Sequence, residues 1–292
     1  MVDTSAPFPR LVLDPALPAE VAATLRTSPD ALHAVRAGAV PRPYAPNPAL
    51  VCAVTVLLLL ALALAGPWGM IALGAAVTGL GGAQALAGDP KLREARRRLR
   101  VAHRHAGRYI LPEDLDERCG ELLARAQRAV AEVLESRVNR DGLLDAIANT
   151  VTLPSELWRL GVRLADLTRT RREHERIVPR DVPADIAGMF TPYDEVLERA
   201  HRSLAARVES LEDYAREVRR ADAVYRAYRQ LGVLRERTPD YERLLAETAE
   251  DETALPAVEG LSGQAHEVER VFRSSIEEAR RAGTHLLLLS AA

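Results

Sequence analysis

The chain has 292 residues, 41 of them acidic and 39 basic, a formal charge of −2, and 48% apolar side chains. At 4%, its aromatic content speaks against a large aromatic-lined pocket or a base-stacking surface for nucleic acid. Its two cysteines, Cys52 and Cys119, fall in different parts of the predicted fold, so no disulfide is expected in a reducing cytoplasm. Lys91 is the only lysine, and the abundance of Arg, Ala and Leu suggests a GC-rich bacterial genome.

Residues 1–47 read as an N-terminal cytoplasmic segment with proline at both ends. A short helix is predicted over 18–25. Ser28-Pro29 then supplies an N-cap followed by proline at the first helical position, opening a second helix that stops at Gly38. Pro41-Arg42-Pro43-Tyr44-Ala45-Pro46 is an extended, stiff spacer into the next region.

Residues 48–88 are almost wholly apolar and carry no ionisable side chain. As one straight helix the tract would measure about 60 Å, twice the hydrocarbon thickness of about 30 Å. Gly66-Pro67 divides it into segments 49–65 and 68–88, and Trp68 is a residue suited to the headgroup level. A two-helix transmembrane hairpin is therefore expected. A helical hairpin buried in a soluble core would keep a polar stripe, which neither segment has, and a secretory signal would start earlier and be shorter. A re-entrant hairpin is the alternative, because the first segment is short. Gly74, Thr78 and Gly82, four apart on the second segment, would let another helix approach closely.

Residues 89–111 form a basic juxtamembrane helix. Lys91, Arg93, Arg96, Arg97, Arg98, Arg100, Arg104 and Arg108 face only Asp89 and Glu94, a surplus of six, which leaves the rest of the chain at −8. By the positive-inside rule this stretch is cytoplasmic, and two spans return the chain to its starting side. The expected localisation is the inner membrane, with both termini in the cytoplasm. Lys91, Arg93, Arg96, Arg97, Arg98, Arg100 and Arg104 are the candidate contacts to anionic lipid headgroups, with Leu92, Leu99 and Ala102 toward the acyl chains.

The rest reads as a cytoplasmic helical body, so the expected fold class is all-α. Its first half, 112–178, presents Leu115, Cys119, Leu122, Leu123, Ala126, Val130, Val133, Leu134 and Val138 at intervals of three and four, until Asp141-Gly142 interrupts them. A short helix over 143–148 and another starting at Pro154, with Leu157, Leu160, Leu164 and Leu167 inward, complete that half. Residues 179–192 are a proline-containing linker. The second half, 193–292, opens with a long coiled-coil-like helix: Leu197, Leu204, Leu211, Val218 and Tyr225 recur every seven, with Val208 and Ala215 between them. His201 and Asp222 break the second row, which favours an antiparallel bundle over a strict coiled coil. A shorter helix with Tyr241, Leu244 and Leu245 follows Pro239, then a loop over 255–263 and a last helix bearing Val268, Val271, Phe272 and Ile276. The tail from Leu286 to Leu289 fits a helix end, a strand or a docking plug.

No catalytic signature is present. The single lysine lies in the basic stretch, so a phosphate loop ending in Lys-Ser or Lys-Thr is ruled out, and no Gly-x-Ser-x-Gly elbow, kinase set or His-Glu-x-x-His pair occurs. His103 and His105 stand two apart among arginines, a poor chelating arrangement, and His174 sits on a charged helix face. His201 on the apolar side of the long helix reads as a packed side chain or a pH sensor.

No catalytic, cofactor-binding or metal-binding residue is assigned, and no nucleic-acid partner is expected. The expected function is that of a non-enzymatic scaffold or adaptor that binds protein partners or itself through helix faces. Gly74, Thr78, Gly82, Leu197, Leu204, Leu211 and Val218 are the packing candidates. A membrane-active effector, or a small oligomeric channel gated by the helical body, is the alternative.

Overall fold

The computed structural model describes residues 9–41, 90–178, 188–248 and 254–291. Among them the chain is mostly helical, with nine α-helices, one 3₁₀ turn and a single two-stranded sheet made of β1 (Val12–Leu13) and β2 (Tyr109–Ile110). The chain divides into two units, 16–109 and a larger one made of 1–15 with 110–292.

In the smaller unit, α1 (Ala19–Arg26) and α2 (Pro29–Arg36) pack on α3 (Pro90–Arg104). Pro29 opens α2 as the sequence predicts, but Ser28 makes no side-chain cap hydrogen bond and its hydroxyl is buried without a partner among the described residues. Past the helix end at Ala37, Gly38 takes a left-handed φ of 87°. Ala102 of α3 is fully buried, and α3 packs against α1 and α2.

The larger unit is built on α4 (Glu117–Glu135), α5 (Arg137–Arg140), α6 (Ala146–Ile177), α7 (Thr191–Glu236), α8 (Thr238–Thr248) and α9 (Ala254–Ala291). Asp116 starts α4, its carboxylate accepting the Cys119 N–H at 2.7 Å. Ser136 ends α4 and caps α5, so the periodic run from Leu115 to Val138 is divided by one serine. Helix α7 packs against α4, α6 and α9. Its Leu204, Val208, Leu211, Tyr214, Ala215, Val218 and Ala221 share one core with Leu122, Leu123 and Val133 of α4, Leu160 and Leu164 of α6, and Ile276 and Ala279 of α9. Gly161 permits the close approach of α6, since a Cβ there would stand 3.0 Å from Ile110 and 3.8 Å from Val12.

Several boundaries differ from the sequence reading. The helices expected at 143–148 and from Pro154 are one helix, α6, capped by Asp145 and running through Pro154. An internal proline costs about 3 kcal/mol, and burial of Leu153, Leu160 and Leu164, about 1.5–3 kcal/mol for each leucine, offsets it. Pro192 belongs to the first turn of α7, where a missing N–H costs nothing, and 179–187 of the expected linker lie outside the described residues. The segment 255–263 is helical, not a loop, with Pro256 in the first turn of α9. The tail from Leu286 onward continues α9, and Leu286 is buried.

The expectation of a two-span inner-membrane protein with both termini cytoplasmic is corrected: no helix among the described residues is long and apolar enough to cross a membrane. The long helices carry an ionisable side chain at almost every turn, as at Glu198, Arg202, Glu209, Arg216 and Arg220 of α7, and such groups are expensive in hydrocarbon. Segments 49–65 and 68–88, Gly74, Thr78 and Gly82 among them, lie outside the described residues.

Candidate functional site

Two polar regions border the core of the larger unit, and they differ in chemistry. The first gathers around the start of α4. Asp116 receives Arg171 at 2.5 Å, while Arg118 forks onto Glu198 at 2.6 and 3.0 Å. Burial pushes the Asp116 carboxyl up, but the Cys119 hydrogen bonds and then the Arg171 guanidinium outweigh it and hold it below its ordinary value. His201 lies beside these pairs with Nε2 buried and unpartnered among the described residues. Burial, then Arg118 and Arg171, push its imidazole below the usual range, against the opposing pull of Glu198 and Asp116. Further along α7, Arg207 reaches Glu156 of α6 at 2.6 Å, and Arg159 closes on the other oxygen at 2.5 Å. Glu156 is only 2% exposed, so these two guanidiniums neutralise a charge that would otherwise be unaffordable in the interior.

This first region pins helices together. Cys119 is a free, fully buried thiol whose pKa burial raises, the reverse of what an activated nucleophile needs. Among the described residues no group of three or more His, Cys, Asp or Glu side chains could hold a metal ion.

The second region is the distal end of α7. Asp222, which breaks the heptad row, accepts the backbone N–H groups of Arg137 at 2.6 Å and Val138 at 3.1 Å, and so seats α5 on α7. Gly142, at φ 72°, turns the chain immediately after α5. Tyr225 donates to Asp141 at 2.9 Å, and its ring stacks on Phe272 of α9 at 5.5 Å, with Tyr228 on the same ring at 5.0 Å. The result is an open cavity of about 380 Å³ lined by Arg137, Arg140, Asp141, Tyr225, Arg226 and Arg229.

Past this cavity the buried face of α7 ends. Tyr228 is 38% exposed, Leu234 46% and Leu244 of α8 57%, with Val233 and Tyr241 exposed as well. Tyr241 and Leu244 stand three apart and so share a face of α8.

Of the residues singled out from sequence, Leu204, Leu211 and Val218 are buried within the chain and Leu197 is partly buried against the same core. The seam expected to serve self-association is thus occupied by α4, α6 and α9. Lys91, Arg93, Arg96, Arg97, Arg98, Arg100 and Arg104 are all on α3, with Arg98 paired to Glu94 at 2.9 Å and Arg97 to the same carboxylate at 3.9 Å. His174, assigned to a charged face, is half-buried and bonds Asp194 at 3.0 Å. The arginines of the distal cavity were not singled out, although each pair, 137 with 140 and 226 with 229, has the three-residue spacing of neighbours on a helix face. That signal was weak because spaced arginines recur throughout this chain. No family model, curated protein or solved structure matches the chain.

Proposed function

We propose that this protein is a non-enzymatic scaffold or adaptor that engages a partner protein through the distal end of α7 and through α8. The observation that carries this reading is the exposure of Tyr228, Val233, Leu234, Tyr241 and Leu244 within one short stretch of chain. Aromatic and large aliphatic side chains bound by a polar surround are what a helix-to-helix interface uses. The core of α4, α6, α7 and α9 supports the reading in a second way, since a rigid platform lowers the entropy cost of presenting such a face.

The test is made on the full chain. Protein isolated from its host should show a species heavier than the monomer by light scattering or native mass spectrometry, and the double variant Leu234→Asp with Leu244→Asp should lose it while keeping the thermal transition of the parent, both sites being exposed. Retention of that species at full occupancy in the double variant would remove the basis for the proposal.

A further inference from the structure

We propose that the arginine cleft at the distal end of α7 is a binding site for a small phosphoanhydride anion, of the inorganic diphosphate or nucleoside diphosphate class. The site adjoins the adaptor face, Tyr228 lying between Arg226 and Arg229, but the argument for it does not rest on that face. Four guanidiniums, Arg137, Arg140, Arg226 and Arg229, line the cavity against a single carboxylate, Asp141. Their engagements within the protein are slight. Arg140 and Arg226 reach backbone carbonyls at 3.4 Å, Arg226 stands 3.9 Å from Asp222, and Arg229 touches the Tyr225 hydroxyl at 3.5 Å. The Arg137 guanidinium has no carboxylate partner among the described residues. Bidentate pairing with a carboxylate is how Arg118 is held by Glu198 and Arg125 by Glu212, and among the described residues none of the four cleft arginines is held in that way. The distal four are compensated only in part, by Asp141 in the lining and by Asp222 at 3.9 Å from Arg226.

The frame around them is fixed. Asp222 anchors the backbone of α5, Asp141 is held by the Tyr225 hydroxyl, and the Tyr225 ring is stacked on Phe272. The one acid in the cleft is therefore engaged to a hydroxyl and not to an arginine, and Asp222 spends one oxygen on two backbone N–H groups. A guanidinium fork matches phosphate oxygens two at a time, so four forks suit more than one phosphoryl group.

Charge and size decide the class. A phosphoryl group brings about −1.5 to −2 at neutral pH, and the lining carries four guanidiniums against the one carboxylate of Asp141, so two linked groups match the lining more closely than one. A cavity of about 380 Å³ falls in the range of about 300–1,000 Å³ used for small-molecule ligands and exceeds what a lone phosphate would fill.

The experiment is calorimetric titration of the full chain with inorganic diphosphate, with sulfate as the charge-only probe. Diphosphate should bind saturably at one site, more tightly than sulfate, and weaken as salt is added. Arg140→Gln and Arg229→Gln should each weaken it about tenfold or more, the ratio that about 1.4 kcal/mol represents. Arg96→Gln with Arg97→Gln on α3 should leave it unchanged, and all variants should keep the parent's thermal transition, these side chains being exposed. No saturable binding, equal affinity for sulfate, or an equal loss in the α3 variant would each overturn the proposal, the last by reducing the effect to diffuse charge.

Discussion

The two halves of α7 have similar side chains and opposite fates. From Leu204 to Ala221 the helix is enclosed by α4, α6 and α9, and every apolar side chain on the inward face is buried. From Tyr225 onward its apolar residues are half-buried or exposed. An apolar position on a helix becomes core only where another helix stands opposite, so the proximal half supplies stability and the distal half keeps apolar side chains at the surface.

The largest effect that can break this contrast comes from the ion pairs of the buried Glu156. Arg207→Ala leaves the buried Glu156 carboxylate without one of its two guanidiniums and should cost about 3–5 kcal/mol, read by urea denaturation. Glu198→Ala removes an exposed pair and should cost about 0–1 kcal/mol. Similar losses from the two would show that burial along α7 is not what separates its regions.

Next in size is the leucine comparison. Leu211→Ala, at a residue 3% exposed, should destabilise by about 2–5 kcal/mol through lost contacts and a residual cavity. Leu234→Ala should stay within about 0.5 kcal/mol of the parent. If Leu234→Ala cost as much as Leu211→Ala, the distal half would be packed after all.

The smallest effect sharpens the picture with pH. The folded pKa of His201 is lowered, so the folded state disfavours its proton; its contribution is complete above the unfolded value of about 6.5 and declines as pH falls below it. The folded pKa of Asp116 is also lowered, so its contribution holds above about pH 4 and is lost as pH falls further. A melting-temperature profile should therefore decline in two steps, and His201→Leu should flatten the upper step alone. An unaltered upper step in that variant would mean that another group titrates there.

Much of the helical content was legible because it rests on local rules. The seven-residue recurrence of Leu204, Leu211 and Val218 named a buried face, and Ser28-Pro29 marked the start of α2. Where the reading departed from the structure, a local breaker was outweighed from outside. Pro154 was read as a helix start, yet the leucines on either side of it find a core and carry the helix through. Asp222 was read as a flaw in the seam, yet its carboxylate anchors α5 across 85 residues of chain.

The candidate site was hardly visible before folding. Arg137 and Arg140 lie far in sequence from Arg226 and Arg229, and nothing in one chain says that four arginines of its 39 basic residues will line the same cavity. Composition, breakers and periodicity settled that this protein is mostly helical and, for α4, α6 and the proximal half of α7, which residues turn inward, since those depend on neighbours three, four and seven positions away. Which helices stand opposite one another, and therefore where an apolar face is left uncovered and where like charges are forced together, was settled only by tertiary packing. It depends on contacts between residues that the backbone keeps far apart.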